Sequence, residues 1–250
     1  MTQNSQKTIY KPGYYGKKRM STSAWTEACM GKWSREQADR RQELEKPAVL
    51  YSICFSRQIG VGALEIADLL SEIIHYRVVD REILEHMAND ANLAQKAIEF
   101  YDERYPGKMS ELFSMLISKK TFIKSDYARQ LVKTVTALAN TESTIFVGRG
   151  THLILPRNQT LSVRLICNRE CRIHRLAGIL DIDASEAEKQ LNTIDIEQHK
   201  FFKTVYHKDE SSPDTFDIII SMDHINGSSQ VARIVASAYE QKFGLKILDN

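Results

Sequence analysis

A strand, a glycine loop and a helix follow one another between residues 48 and 74, and this unit restricts the fold more than any other part of the chain. Ala48 to Phe55 is a nearly continuous apolar run, as expected for a strand buried on both faces of a parallel sheet. The loop SRQIGVG follows, from Ser56 to Gly62. After it, apolar residues recur at helical spacing at Ile66, Leu69, Leu70 and Ile73.

Strands and helices alternate along the rest of the chain. Further strands are predicted for Tyr76 to Val79 and within the segments STIFV, LSVRLIC and FDIIIS. Helical patterns run from about Asn92 to Asn140 with a break at Tyr105-Pro106-Gly107 and a restart near Ser125, from Glu170 to Lys203, and through the closing segment SSQVARIVASAYEQKFG. This alternation predicts an α/β fold of three layers, in which a parallel sheet is flanked by helices.

Composition and cysteine spacing narrow the class of protein. Of the 250 residues, 42% are hydrophobic and 26% are charged, as in ordinary globular chains. No stretch of bilayer-spanning length and no signal-type segment is recognisable, so we expect a cytoplasmic protein without a membrane partner. The four cysteines lack a CxxC framework and the histidines lack a ligand pattern such as HxxxH. Free thiols in a reducing compartment and no metal site are therefore expected.

Residues 1–46 differ from the remainder, residues 47–250, in charge and pattern. They hold about ten Lys and Arg against about five Asp and Glu. A basic, flexible arm with at most one short helix near Trp25 to Trp33 is predicted. The alternative is an arm that attracts phosphate or docks a partner through Lys17, Lys18 and Arg19, near Tyr14 and Tyr15. The basic patch is too short to indicate nucleic acid as a partner.

The glycine loop has the setting of a phosphate-binding site. Backbone N–H groups between a strand and a helix point at one spot, where the helix dipole adds positive charge, and Gly60 and Gly62 permit the close approach that this requires. Arg57 adds a cation. The Walker A pattern GxxxxGK[ST] is absent, because Ala63 and Leu64 stand where Lys and Ser or Thr would follow Gly62. The alternative is that the glycines only make a tight turn.

Several segments together resemble one known family. SRQIGVGALEIA, YRVVDREIL, DERYPGKMSELF, IFVGRGTHLIL, VRLICNRECRIHRL and SPDTFDIIIS, in this order and over about Val49 to Val235, resemble the cytidylate kinase-like family of P-loop nucleoside monophosphate kinase relatives. The resemblance implies a P-loop kinase fold with a helical acceptor and lid region. It also implies transfer of the γ-phosphate of ATP to a nucleoside monophosphate such as CMP, with Mg²⁺ bound through the nucleotide and small-molecule nucleotides as partners.

The resemblance assigns roles to individual positions. One set of residues in the glycine loop, the loop set, is implied to contact the ATP phosphates, and a second set, the acceptor set, is implied to hold the monophosphate. Three arginines are implied to neutralise charge during transfer. A lid at about residues 192–212 is implied to close over the site. The loop set is Ser56, Arg57, Gln58, Gly60, Val61, Gly62 and Ala63; the acceptor set is Asp80, Arg81 and Arg149; the catalytic arginines are Arg57, Arg172 and Arg175; the lid residues are Asp195, His199 and Lys203.

The chain also departs from the family pattern. Related loops read SRxxGSGGREIA, whereas this chain has Val61, Ala63 and Leu64, and Gly150 replaces the aspartate of the family's GRD turn. A lid arginine is missing as well. These departures leave a second hypothesis open, namely a nucleotide-binding or signalling protein that has lost turnover, and a weaker third one, a kinase for another metabolite. The oligomeric state is left undecided.

Each assigned residue has a purely structural alternative. Arg149 is equally suited to pairing with an acidic neighbour, and Asp80 to capping the helix that follows it. Arg172 and Arg175 share one helical face and fit a solvated stripe with Glu170 and Asp181. The proposed lid reads equally well as a charged surface helix that turns Phe201 and Phe202 inward.

Overall fold

The fold is built on a five-stranded parallel sheet. The computed structural model describes residues 9–39, 49–90, 92–93, 95–96, 98–99, 125–209, 212–225 and 227–248. The strand order is β2-β3-β1-β4-β5, and every pairing is parallel. The strands are β1 (Ser52–Arg57), β2 (Arg77–Val79), β3 (Thr144–Val147), β4 (Thr160–Ile166) and β5 (Ile218–Ser221).

The described helices precede, connect and follow these strands along the chain. They are α1 (Thr22–Asp39), α2 (Ala63–Ile74), α3 (Arg81–Asn89), α4 (Asp126–Thr141), α5 (Thr151–Ile154), α6 (Arg169–Leu180), α7 (Ala184–Tyr206) and α8 (Ser228–Phe243). Single 3₁₀ turns lie at Arg157–Gln159 and Pro213–Thr215. The predicted strands and the predicted α2, α4 and α8 are present with ends shifted by a few residues, and Ser125 caps α4. The predicted break at residues 105–107 and the motif DERYPGKMSELF lie outside the described residues.

Alternating side chains of the central strands divide the core into two layers. Ile53 and Phe55 of β1 belong to a buried cluster with α2 and α8, whereas Cys54, between them, belongs to another cluster with α1, α3 and α4. The same alternation occurs in β3, because successive strand residues point to opposite faces. Helices therefore cover both faces of the sheet, and the predicted three-layer α/β fold is confirmed.

A third buried cluster joins α6 and α7 beside the glycine loop. Leu176 and Leu180 of α6 pack with Leu191 and Ile194 of α7, and Ile59 of the loop is part of the same cluster. The predicted charged helical region is thus two helices, separated where Asp181 takes a left-handed φ of 53°. Asp183 begins α7 by accepting a hydrogen bond from the Glu186 N–H. Helices α6 and α7 therefore pack as a pair against the glycine loop.

The segment expected to be a flexible arm is partly built into the core. Helix α1 has 18 residues, and Trp25, Cys29 and Trp33 lie in the cluster formed with α3 and α4. These three residues recur every four positions, so they lie on one helical face, and their burial offsets the entropy of ordering the helix. The helix suggested near Trp25 to Trp33 is present and is longer than the short helix that the sequence suggested. The division of the chain at residue 46 stays a prediction.

Among the described residues, no helix combines the length and the apolar character that crossing a bilayer requires.

Replacing Trp33 with alanine tests whether α1 is part of the domain. Trp33 is only 2% exposed, so Trp33→Ala should lower the free energy of unfolding by about 3–5 kcal/mol. Urea denaturation measures this change. The matched control is Glu27→Ala on the exposed face of α1, which should stay within about 0.5 kcal/mol of the wild type. A Trp33→Ala effect as small as that of the control would mean that α1 does not contribute to the core.

Candidate active site

The glycine loop is fitted closely against helix α6. Gly60 and Gly62 have positive φ values of 88° and 79°, a region that favours glycine. A Cβ on Gly60 would lie 3.1 Å from the carbonyl oxygen of Arg172, and one on Gly62 would lie 2.5 Å from the Cζ of Arg175. Both glycines are therefore required by backbone conformation and by the approach of α6.

The two α6 arginines hold the loop in place. Arg172 is 7% exposed, and its Nη1 donates to both carboxylate oxygens of Asp195, at 3.1 and 2.9 Å, and to the carbonyl of Ile59 at 3.3 Å. Arg175 donates to Glu65 in the first turn of α2. The predicted catalytic arginines thus brace the loop against α6 and α7. These contacts differ from the structural alternative, in which the two arginines form a solvated stripe with Glu170 and Asp181.

Other predicted loop residues form the base of the loop. Ser56 is buried inside β1, where its Oγ accepts a hydrogen bond from Arg164 at 2.8 Å. The Gln58 Oε1 accepts from the Cys167 N–H at 2.8 Å. Val61 and Ala63 are buried and line a narrow cleft along the loop, here called the loop cleft, which also contacts Arg57, Asp80 and Arg81.

Arg57 is fixed by a two-way contact with α7. Its Nη1 donates to the Gln198 Oε1 at 2.6 Å, and the Gln198 Nε2 donates to the Arg57 carbonyl at 3.0 Å. The guanidinium also lies close to the turn after β3, since a Cβ on Gly148 would be 3.4 Å from the Arg57 Cζ. Arg57 therefore bridges the ends of β1 and β3.

Arg149 lies in the same region on a strained backbone. It has a positive φ of 52°, and its side chain is 11% exposed. The guanidinium pairs with Glu85 of α3 and lies 4.2 Å from the centroid of the Phe201 ring. Burial, followed by the charges of Arg81 and Arg57, lowers the pKa of Arg149 to about 9, so it remains charged at neutral pH.

Three arginines from different elements converge on one cleft. Arg57 comes from the end of β1, Arg81 from the start of α3 and Arg149 from the turn after β3; the arginine cleft is lined by these three with Glu197, Gln198, Phe201 and Phe202. Glu85 is shared, because its Oε1 also accepts from the Arg81 Nε at 3.2 Å. Cationic groups outnumber the carboxylates around the cleft, so a phosphate is a complementary ligand.

Gly150 makes room for a tyrosine of α7. A Cβ on Gly150 would lie 2.5 Å from the Tyr206 ring, and φ there is 67°. Tyr206 is buried, which raises its pKa, and its hydroxyl donates to the Arg149 carbonyl. The aspartate expected in a GRD turn has no space here, because Tyr206 occupies it. Sequence spacing gives no signal for this contact between residues 56 positions apart.

The predicted lid lies within a continuous helix. Residues 192–206 belong to α7, whose Phe202, Val205 and Tyr206 are buried in the core, while part of the remaining range, residues 210–211, lies outside the described residues. Asp195 pairs with Arg172, whereas His199 and Lys203 are exposed. This conformation matches the alternative interpretation of the segment, a charged surface helix that turns Phe201 and Phe202 inward. Movement of α7 stays a prediction.

Asp80 caps helix α3. Its Oδ1 accepts the Ile83 N–H at 2.9 Å, so the structural alternative for this residue is confirmed. Asp80 also borders the loop cleft, and its other oxygen lies 4.0 Å from the Arg19 Nε. The contact of Asp80 with a substrate stays a prediction.

The N-terminal segment borders the glycine loop, and sequence patterns gave no signal for its most buried contact, at Tyr10. Tyr10 is buried against the α6–α7 cluster, and its N–H donates to the Gln190 Oε1 at 2.8 Å. Tyr15 donates to Asp68 of α2, and Arg19 pairs with the same carboxylate at 3.2 Å. The segment thus crosses the glycine loop, and Tyr10 and Tyr14 border the loop cleft.

The three openings differ in size. The loop cleft and the arginine cleft have interior volumes of about 20 and 30 Å³, enough for a water molecule but not for a nucleotide. A larger cavity of about 430 Å³ lies between the N-terminal segment and helices α1–α3; it is lined by Lys11, Lys17, Lys18 and Arg19, by Tyr14, Tyr15 and Trp25, and by Asp80 and Glu82. Nucleotide binding at the loop therefore requires the segment or α7 to move.

The loop suits nucleotide phosphates better than it suits a directly bound metal ion. Gly62 begins α2 without a side-chain cap, which leaves that helix end fitted for an anion. Within residues 56–65 the oxygen-bearing side chains of Ser56, Gln58 and Glu65 are each engaged with protein groups. Mg²⁺ would therefore be held through the phosphates of the nucleotide rather than by this loop.

Comparisons with known proteins identify a family model. The model described as the cytidylate kinase-like family matches residues 52–224, which include β1 to β5 and the whole arginine cleft. A comparison with curated proteins gave no match.

Comparison with solved structures found similarity at low sequence identity. An uncharacterized protein from Eubacterium ventriosum ATCC 27560 is 18% identical, with a TM-score of 0.59, over 76% of this chain and 98% of that one. Shikimate kinase from Acinetobacter baumannii in complex with shikimate is 10% identical, with a TM-score of 0.41, over 77% and 94%. Dephospho-CoA kinase from Campylobacter jejuni is 12% identical, with a TM-score of 0.34, over 78% and 98%. The first of these structures shares the fold of this chain.

A substitution at Gly150 tests the contact with Tyr206. Gly150→Ala should lower the free energy of unfolding by about 2–4 kcal/mol, from the positive φ and from the clash with the ring. In a Tyr206→Ala background the same change should cost only about 1 kcal/mol, because the clash is gone. Urea denaturation of the four proteins measures the coupling. Gly178→Ala, at an open helical position, is the control and should not destabilise. Equal costs in both backgrounds would contradict the contact.

Inorganic phosphate tests the anion preference of the arginine cleft. Phosphate at about ten times its dissociation constant should raise the melting temperature by roughly 2–5 °C, because it neutralises three clustered guanidinium groups. Differential scanning calorimetry, with chloride at matched ionic strength, measures the effect. Arg149→Met should abolish the increase, whereas the exposed Arg129→Ala should keep it. An equal increase with chloride would contradict a phosphate site.

Proposed function

The chain belongs to the cytidylate kinase-like family, and on this premise we propose that it is an ATP-dependent phosphotransferase that moves the γ-phosphate of ATP to a nucleoside monophosphate, with CMP as the first candidate. The observation that carries the proposal is the convergence of Arg57, Arg81 and Arg149 on one cleft beside the glycine loop.

We also propose that the protein is located in the cytoplasm, because its cysteines are not joined in disulfides and the cytoplasm is a reducing compartment.

Donor phosphates would bind along the glycine loop. The backbone of Gly60 to Ala63 and the uncapped start of α2 provide N–H groups and dipole charge, which stand in for the missing Walker A lysine. Arg172 and Arg175 would act mainly by keeping this loop in shape, because their guanidinium groups are engaged with Asp195 and Glu65. Magnesium bound to the nucleotide would neutralise charge on the transferring phosphate.

The acceptor phosphate would bind to Arg149 and Arg81. A guanidinium presents a planar fork of donors, so two of them hold a phosphate in a fixed orientation. Arg57 and Arg81 both line the loop cleft and the arginine cleft, so these two residues are placed to contact donor and acceptor phosphates together. Catalysis would consist of positioning and electrostatic stabilisation, and closure of α7 through Gln198 would exclude water.

Selection of the acceptor nucleoside would differ from that implied by a GRD turn. Gly150 offers no side chain, and Tyr206 fills its surroundings. The cavity beside the N-terminal segment has a volume typical of small-molecule sites and carries aromatic and basic side chains. Discrimination among nucleosides would then depend on residues 10–25 and on α3.

A nucleotide-binding protein without turnover is the second candidate. It is favoured by the pairing of Arg172 with Asp195 and of Arg175 with Glu65, which keeps the two α6 arginines occupied. The N-terminal segment across the loop favours it as well. Turnover requires these groups to rearrange, whereas binding alone does not.

ADP release from magnesium-ATP, with each common nucleoside monophosphate in turn, separates the two candidates. One acceptor should stimulate release, and Arg149→Ala should lower kcat/KM for that acceptor about a hundredfold or more, because a charge-assisted contact to the reacting phosphate is lost. Arg129→Ala, a surface arginine on α4 that pairs with Asp126, should match the wild type.

Two results would contradict the kinase proposal. The first is ATP binding, measured by calorimetry, without release stimulated by any acceptor; this would establish the binding protein instead. The second is stimulated release that Arg149→Ala leaves unchanged, which would move the acceptor site away from the arginine cleft.

A further inference from the structure

Two thiols and a carboxylate meet on the far side of the glycine loop. Cys167 follows β4 directly, Cys171 lies in the first turn of α6, and Asp223 follows β5. Their two sulfur atoms and a carboxylate oxygen all lie within 4.8 Å of one another. None of the three lines the loop cleft or the arginine cleft. The parallel pairing of β4 with β5 brings the turn and Asp223 together.

The cluster is held in shape by its own hydrogen bonds. The Asp223 Oδ1 accepts from the Cys167 thiol at 3.0 Å and from the Asn168 N–H at 2.8 Å, and its Oδ2 accepts from the Ser221 hydroxyl at 3.0 Å. The Asn168 side chain in turn accepts the Cys171 N–H at 2.8 Å. Ligand positions fixed in this way reduce the entropy that a bound ion would have to offset.

We propose that Cys167, Cys171 and Asp223 form a binding site for Zn²⁺ or a similar thiophilic divalent cation. Two sulfur atoms and one carboxylate oxygen form a donor set that Zn²⁺ accepts, at bond lengths of about 2.3 Å to sulfur and about 2.0–2.2 Å to oxygen. Tetrahedral coordination then separates the sulfurs by roughly 3.7 Å, so a contraction of about 1 Å at most closes the site. A water molecule completes the coordination.

The charge balance of the site favours binding. Both thiols release a proton when the ion enters, so the site changes from one carboxylate to a divalent ion with three anionic ligands, and its net charge stays at minus one. The positive end of the α6 dipole adjoins that charge. The ion therefore adds no unbalanced charge to a partly buried position. The proposal differs from the sequence-based expectation of no metal site, which rested on the spacing of cysteines and histidines and could not include Asp223.

A metal ion at this site would stabilise the segments that support the glycine loop. The Cys167 N–H donates to the Gln58 Oε1 at 2.8 Å, and α6 carries Arg172 and Arg175, which hold the loop. Binding would thus tie the end of β5 to the segment that sets the loop conformation. The role is structural and does not depend on phosphotransferase activity.

Cobalt titration of the reduced full-length protein tests the site, because Co²⁺ bound to thiolate gives an intense ultraviolet absorption. We expect one Co²⁺ per chain, displacement of Co²⁺ by Zn²⁺, and a higher melting temperature with Zn²⁺. Cys171→Ser and Cys167→Ser should each weaken binding at least tenfold and reduce the thiolate absorption. Asp223→Asn should weaken binding while retaining the absorption of two thiolates.

The control is Cys54→Ala, which removes a buried thiol remote from the cluster and should leave cobalt binding unchanged. Cys171 is partly exposed, so its serine variant keeps the test decisive if Cys167→Ser does not fold. Absence of thiolate absorption with Co²⁺ in the reduced wild type would overturn the proposal. Absorption that persists in full in Cys171→Ser would overturn it as well.

Discussion

Pairing of β1 with β3 on one side and β4 on the other determines where the functional groups of this protein lie. All three strands run in the same direction, so the glycine loop, the Gly148–Gly150 turn and the Cys167 turn end at one edge of the sheet. The Gly148 N–H donates to the Phe55 carbonyl at 2.9 Å, and the Gln58 N–H donates to the Leu165 carbonyl at 3.0 Å. Backbone hydrogen bonds alone therefore attach the loop to both neighbouring strands.

Helices α6 and α7 convert this edge into an enclosed site. Arg172 connects the loop to Asp195, and Gln198 connects Arg57 to α7. Leu191 packs α7 against α6, and about four helical turns further along α7 Tyr206 packs on Gly150. A single continuous helix therefore touches the glycine loop, the arginine cleft and the turn after β3. Any displacement of α7 changes all three together, which gives a physical basis for coupling between the two phosphate positions that we propose.

The sheet and most of its helices could be predicted from the sequence because their signals are local. Apolar runs identify parallel strands, and recurring apolar residues identify α2, α4 and α8. The glycine loop and Arg149 were found by pattern and resemblance. By contrast, the partners of Arg172, Arg57 and Gly150 lie 23, 141 and 56 positions away, so no local signal reveals them. The core position of α1 had a signal in the spacing of Trp25, Cys29 and Trp33, but the surrounding polar residues obscured it.

The hydrogen bond from the Tyr10 N–H to Gln190 spans 180 positions in the sequence. The loop cleft consequently has one wall that cannot form until α7 has been synthesised and has docked, whereas the opposite wall, from β1 and α2, involves contacts between near neighbours. Contacts of such separation are slow to form, because closing the intervening chain costs entropy. Tyr10 leaves the ribosome before the sheet, yet its hydrogen bond to Gln190 can form only after α7 has been synthesised.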